Sequence, residues 1–146
     1  MLPYEILARK RDGGALSERE IASVIDGASS GTWSDAELAA FLMAVAIRGA
    51  EPVETQALTR AMLESGEQWD LARDFPQLAD KHSTGGVGDK TSIILTPLLA
   101  ACEVPVVMLT GRALGHTGGT ADKLESIPGL RQDLDRPRAV SLLRQG

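Results

Sequence analysis

Two clusters of glycine, hydroxyl and basic residues hold most of the chemistry this chain can offer. The first is Lys81-His82-Ser83-Thr84-Gly85-Gly86-Val87-Gly88-Asp89, with Ser92 one helical turn further on. The second contains Thr110, Gly111, Arg112, Gly115, His116, Thr117, Gly118, Gly119 and Thr120. Seven of the fifteen glycines lie between Gly85 and Gly119. Glycine at a strand-to-helix turn permits positive φ and lets bare backbone N–H groups approach a ligand. The helix that follows adds partial positive charge at its N-terminus, so an oxyanion such as phosphate is the natural guest. Hydroxyls and a lysine complete such a cradle without a basic protein around it.

The spacing excludes several alternatives. Neither cluster reads Gly-x-x-x-x-Gly-Lys-Ser/Thr, so a nucleotide P-loop is unsupported, and no Gly-x-Gly-x-x-Gly follows the first strand. The two histidines have neither helical nor hairpin metal spacing. His82, at the mouth of the first loop, is placed to donate a proton to a bound substrate. His116, between glycines, serves equally well to tie its loop together. Asp89 and Asp122 each stand near a helix start, where capping competes with catalysis as their role. Cys102 reads as a core residue, and Trp33 and Trp69 as packing residues.

Both loops need strands to present them. Gln77-Leu78-Ala79-Asp80-Lys81 reads as a short strand into the first, followed by a helix from about Asp89 to Cys102. Val104-Pro105-Val106-Val107-Met108-Leu109 reads as a buried strand into the second, followed by a short helix around Thr120 to Ser126. Strand, loop and helix repeated in this order indicate a parallel α/β sheet, whose ligands sit beyond the carboxyl ends of the strands. A last helix spans Arg136 to Arg144. Two strands are few for a stable parallel sheet, so this part reads as truncated: the start of a longer protein, or a chain completed by a partner.

Upstream, the first 66 residues read as four helices. The opening one runs from about Pro3 to Arg11. Ser17-x-x-Glu20 and Ser34-x-x-Glu37 are capping boxes ahead of the apolar stripes Ile21, Val24, Ile25 and Leu38, Phe41, Leu42, Val45. Pro52 suits the first turn of the fourth, and Gly27, Gly49 and Gly66 fall where helices should stop. The expected organisation is α plus α/β: a helical domain over 1–67, then an incomplete anion-binding α/β domain over 68–146.

Of the 146 residues, 43% are hydrophobic and 24% charged, values of a globular chain. A net charge of −5 with 3% aromatics argues against a nucleic-acid polymer as partner. A single cysteine forms no intrachain disulfide and fits a reducing, cytoplasmic setting. The start lacks the basic-then-apolar order of an export signal; the apolar stretch Leu38 to Ile47 is too short to span a membrane, and Ile93 to Leu109 is interrupted by Pro97, Glu103 and Pro105.

The run Lys81 to Asp89, together with Gly111-Arg112-Ala113-Leu114-Gly115-His116-Thr117-Gly118-Gly119-Thr120-Ala121-Asp122-Lys123-Leu124-Glu125-Ser126, resembles the thymidine and pyrimidine-nucleoside phosphorylase family. Lys10-Arg11-Asp12-Gly13 and Leu16-Ser17 are similar to it too, so the resemblance spans essentially the whole chain. It implies a small helical domain facing a large α/β domain, homodimers joined through the helices, and phosphorolysis of a pyrimidine nucleoside to free base and pentose 1-phosphate. Carried over, it places phosphate on Lys81, Ser83, Ser92, Thr110 and Thr120, with the backbone of Gly85, Gly86, Gly88, Gly118 and Gly119 shaping the loops. His82 would address the base. Phosphate is then the co-substrate, and no organic cofactor is implied.

The resemblance also implies a potassium ion at the positions of Gly88 and Lys90, against which the charge of Lys90 argues. Thr110 and Ala113 stand where many members have Ser and Gly; Thr110 keeps the hydroxyl, and the Ala113 methyl is expected to stiffen the loop. Further base-binding residues of the family lie beyond the position of Gly146. The isolated chain is therefore expected to bind phosphate weakly if at all, and not to turn over nucleoside. Two other readings stand beside this one: an anthranilate-type phosphoribosyltransferase, which shares the architecture, and a non-catalytic interaction domain using the face of Leu38, Phe41, Leu42 and Val45.

Overall fold

Both capping boxes form. The Ser17 hydroxyl accepts from the Glu20 N–H while the Glu20 carboxylate takes the Ser17 N–H at 2.8 Å. Ser34 and Glu37 repeat the arrangement, with the Ser34 N–H to Glu37 at 2.8 Å. Each box satisfies donors that the first helical turn leaves without partners. The helices they start are α2, Glu18–Ser30, and α3, Asp35–Arg48. Proline in the first turn opens α1, Pro3–Arg11, and α4, Pro52–Ser65.

The computed structural model describes residues 2–83, 89–113, 115 and 117–145. The chain divides into two compact units, Met1–Gln68 and Trp69–Gly146. In the first, α2 packs on α4 and α1 on α3. Ile6, Leu16, Ile21, Val24, Trp33 and Phe41 form its core, with Ala57 from α4. Lys10 and Glu54 are buried beside them as an ion pair, Nζ lying 2.8 and 2.7 Å from the two carboxylate oxygens.

Gly27 does not end α2, which continues to Ser30 and stops at the left-handed Gly31. Its role is contact. A Cβ built there would lie 1.9 Å from Cδ1 of the Trp33 ring, so only glycine lets that ring close the core. Trp33 is accordingly a packing residue, and Trp69 is half-buried.

In the second unit, α5 spans Thr91–Ala101, α6 Thr120–Leu124 and α7 Arg136–Leu143. Among the described residues the two expected strands contract to a parallel bridge between Ala79 and Val106, with the Ala79 N–H donating to the Pro105 carbonyl at 2.9 Å. Val104 to Met108 are half-buried and Leu109 is exposed, so the second segment is not the buried strand its composition suggests. A parallel pair gains its burial from further strands and helices on both faces, and a single bridge supplies neither. Cys102 is also corrected: it caps the C-terminus of α5 and is exposed, because the helix ends before turning it inward. The C-terminus of α5 closes with the Glu103 and Val104 N–H groups on the Ala100 and Leu99 carbonyls, both at 3.0 Å. That is the hydrogen-bond pattern of a Schellman cap, with Glu103 at φ 60° where glycine is usual.

Candidate functional site

The bridge between Ala79 and Val106 sets two chain segments side by side, so that Lys81 to Ser83 and Thr110 leave it in the same direction. Around their ends lies a pocket of about 740 Å³, lined entirely by residues of the second unit. Lys81, His82, Ser83, Ser92, Thr110 and Thr120 all border it. Gly118 and Gly119 line it as well. Apolar side chains line it too: Ile93 and Pro97 of α5, Met108, Leu124 and Ile127. A few polar groups in a largely apolar lining suit a ligand with a charged part and an uncharged body.

Among the polar groups, Lys81, Asp89 and Ser92 form a closed triangle. The Lys81 ammonium is ion-paired with Asp89 and donates to Ser92 Oγ at 3.1 Å. The Ser92 hydroxyl in turn donates to Asp89 Oδ2 at 2.6 Å. Hydrogen bonds from Lys81 and then Ser92 hold the Asp89 carboxyl below the usual carboxylate range. Ser92 is buried, while Lys81 and Asp89 are each partly open to the pocket. Asp89 is thus not a free base: its carboxylate is committed to Lys81 and to Ser92, whose backbone N–H also bonds it in the manner of a cap at the start of α5. The pairing is invisible in sequence, since nothing local marks residues 81 and 89 as partners.

His82 is exposed, and its Nδ1–H donates to the Ser83 carbonyl at 2.6 Å. A carbonyl only accepts, so Nδ1 carries the proton and Nε2 is the atom left to meet a substrate. Ser83 and Thr120 are half-buried and Thr110 is exposed. Gly85, Gly86 and Gly88, the centre of the first loop, lie outside the described residues, as does His116.

The second loop is held by Asp122. Its Oδ2 accepts the N–H groups of Ala113 and Gly119, each at 2.8 Å, and these two bonds hold its carboxyl below the usual range. Arg112 reaches over the same helix to Glu125, at 2.7 and 2.9 Å, and to Asp122 at 3.4 Å. Asp122 thereby caps α6, one of its two expected roles. Gly119 differs from expectation, because its N–H is directed at Asp122 and is not available to an anion. What requires glycine there is proximity: a Cβ would lie 2.1 Å from the Gly111 carbonyl oxygen. Ala113 sits at φ 53°, in the left-handed region that favours glycine, so the loop carries strain at that position rather than simple stiffening.

As for cations, among the described residues no group of three or more His, Cys, Asp or Glu side chains could hold a metal ion. Lys90 is exposed and brings an ammonium, which repels a cation instead of ligating one. Nor is any helix among them long and apolar enough to cross a membrane.

A helical unit followed by a unit whose loops line a pocket with hydroxyl and basic side chains defines a class, and the chain belongs to it. Residues 4–66 match the helical bundle domain of the glycosyl transferase family, and residues 75–146 match the a/b domain of the same family. Within the class, the chain is 54% identical over 129 residues to a thymidine phosphorylase of Sinorhizobium medicae, covering 88% of this chain and 30% of that protein. It is 52% identical to the human thymidine phosphorylase over 126 residues, covering 86% of this chain and 26% of that protein. To the pyrimidine-nucleoside phosphorylase of Geobacillus stearothermophilus it is 45% identical, over 99% of this chain and 34% of the relative. The chain therefore spans about a third of the length of these relatives. Among solved structures it resembles an anthranilate phosphoribosyltransferase of Thermus thermophilus, with a TM-score of 0.61 and 31% identity over 83% of this chain and 37% of that one.

Proposed function

We propose that these residues are the N-terminal part of a cytoplasmic pyrimidine-nucleoside phosphorylase, which converts thymidine and phosphate to thymine and 2-deoxyribose 1-phosphate. The observation that carries this reading is the convergence of Lys81, His82, Ser83, Ser92, Thr110 and Thr120 on one pocket with a largely apolar lining. The identities of 45–54% to phosphorylases, against 31% to the phosphoribosyltransferase, support the same choice. In this reading the α/β unit is the beginning of a larger domain, and the helical unit joins two copies. Leu42, Met43 and Ile47, exposed on α3, support that second assignment.

Inorganic phosphate supplies the nucleophile, with no organic cofactor. Lys81 and the hydroxyls of Ser83, Ser92, Thr110 and Thr120 fix one face of the anion, so that a free oxygen meets the anomeric carbon in a set orientation. The bond from that carbon to the pyrimidine nitrogen breaks with its electron pair going to the base, and a carbon–oxygen bond to phosphate forms. Positive charge developing on the sugar is stabilised by the adjacent anion. The departing base gathers negative charge, which His82 Nε2 offsets when the ring is protonated. Potassium has no step here.

The test is a chimera in which this chain replaces the corresponding third of the Geobacillus relative. Thymine release from thymidine is expected only when phosphate is present. His82→Ala is expected to depress kcat while leaving the KM for phosphate nearly unchanged. Product formation from anthranilate and phosphoribosyl pyrophosphate, with none from thymidine, would establish the phosphoribosyltransferase reading instead.

A further inference from the structure

Resting on the phosphate reading above, we infer that Asp89 is an internal counter-anion that phosphate must displace, so that the chain sets its own phosphate affinity low. The argument starts from a count of protons. Ser92 has a single hydroxyl proton, and it is donated to Asp89 Oδ2 at 2.6 Å. The hydroxyl's acceptor side faces the Lys81 ammonium at 3.1 Å. In this arrangement Ser92 cannot donate to a phosphate oxygen, and Lys81 already holds a carboxylate.

An arriving anion therefore makes its bonds by substitution. The Ser92 proton turns away from Asp89, and the Lys81 charge becomes shared between two anions a few ångströms apart. Repulsion between those anions opposes binding and assists release. The same triangle has a second consequence, for the lysine itself. A lysine on a flexible four-carbon stem otherwise swings into water, and a partly buried ammonium beside a buried serine needs an anion. Asp89 supplies it from the chain itself, only eight residues along, and no cavity-lining charge is left uncompensated.

Asp89→Asn isolates the effect with almost no change of shape. The asparagine carbonyl still accepts from Lys81, and its NH₂ donates to Ser92 Oγ, which frees the serine proton for phosphate. One negative charge leaves the pocket. The experiment is a calorimetric titration with inorganic phosphate of the chimera in which this chain replaces the corresponding third of the Geobacillus relative, for the wild type, Asp89→Asn, Lys81→Ala and the Asp89→Asn/Lys81→Ala double variant. Far-UV circular dichroism confirms that each is folded.

The expected result is that Asp89→Asn binds phosphate about tenfold more tightly than wild type, and that the gain disappears in the double variant. Affinity equal to or weaker than wild type in a folded Asp89→Asn chain overturns the inference, since Asp89 would then be holding the site together for the anion. If Lys81→Ala leaves wild-type binding intact, or no variant binds, the phosphate reading itself fails and this inference falls with it. If Lys81 is required and only the gain is missing, the phosphate reading stands alone.

Discussion

Replacing either member of the buried Lys10–Glu54 pair gives unequal losses, because the carboxylate has more to do than the ammonium. Glu54 accepts both bonds from Lys10 and also the backbone N–H groups of Leu16 at 2.9 Å and Glu51 at 2.7 Å. Lys10→Met strands a buried carboxylate that keeps two amide donors, and removing one partner of a buried pair costs about 3 kcal/mol. Glu54→Leu strands the ammonium at the same cost and also orphans two amides, each worth roughly 1 kcal/mol or more. The expected losses are therefore about 3 kcal/mol for Lys10→Met and at least ~5 kcal/mol for Glu54→Leu. A unit of 68 residues has roughly 3–10 kcal/mol in total, so Glu54→Leu removes most of it. The Lys10→Met/Glu54→Leu double variant recovers the charge term but not the amides, and is expected to fall between wild type and Glu54→Leu. Urea titration followed by far-UV circular dichroism, with amide exchange to assign the transition to Met1–Gln68, measures all three. A larger loss for Lys10→Met than for Glu54→Leu, or a double variant as stable as wild type, would refute the reasoning.

Other outcomes are expected from the same contacts. Gly27→Ala puts a methyl into the Trp33 ring and should cost about 3 kcal/mol in urea denaturation, well above the small gain alanine normally gives within a helix. Glu103→Gly relieves a left-handed residue at the end of α5 and should raise stability by about 1 kcal/mol, read as a higher melting temperature. Acid should destabilise the first unit in a defined window. Burial acts to raise both Glu20 and Glu54, but bonds from Ser17 and Arg9, and from Lys10, Glu51 and Leu16, leave both carboxyls below their ordinary value of 4.5. Their contribution is complete above that value and is lost as pH falls through the lower folded values, so stability measured from pH 7 downward should stay level in this respect and then drop below about 4.5.

What the sequence reveals here follows the range of the forces involved. Capping boxes are legible because all their partners lie within four residues, and the first-turn prolines are legible for the same reason. Gly27 misleads because its environment is decided by Trp33, which the chain brings back over it only after α2 has ended. Lys10 and Glu54 are separated by more than forty positions, and nothing local marks either as buried. The strands fail differently. Val104 to Leu109 has the composition of a sheet interior, yet a β-branched run acquires burial only from neighbours, and among the described residues its one ladder contact is with Ala79. The pocket's polar residues are legible as a set because two glycine-rich turns after successive apolar segments point to the same end of a sheet. Their pairings are not, since nothing local marks Lys81, Asp89 and Ser92 as partners in a triangle.

The two glycine-rich loops also divide the work differently from what glycine content alone suggests. If bare backbone amides were the anion donors, the second loop would keep its N–H groups free, and it does not: those of Ala113 and Gly119 converge on Asp122. With those two protons committed, the hydroxyls of Thr110 and Thr120 are donors that border the pocket from either end of this loop. Asp122 is therefore to the second loop what Asp89 is to the first, a carboxylate that gathers donors. The difference lies in what each gathers. Asp122 takes backbone amides and so fixes a shape, whereas Asp89 takes a lysine and a serine whose donors an anion would need. Carboxylates of an acidic chain thus organise both loops: Asp122 gathers backbone amides in the second, and Asp89 keeps the Lys81 ammonium and the Ser92 hydroxyl in place in the first.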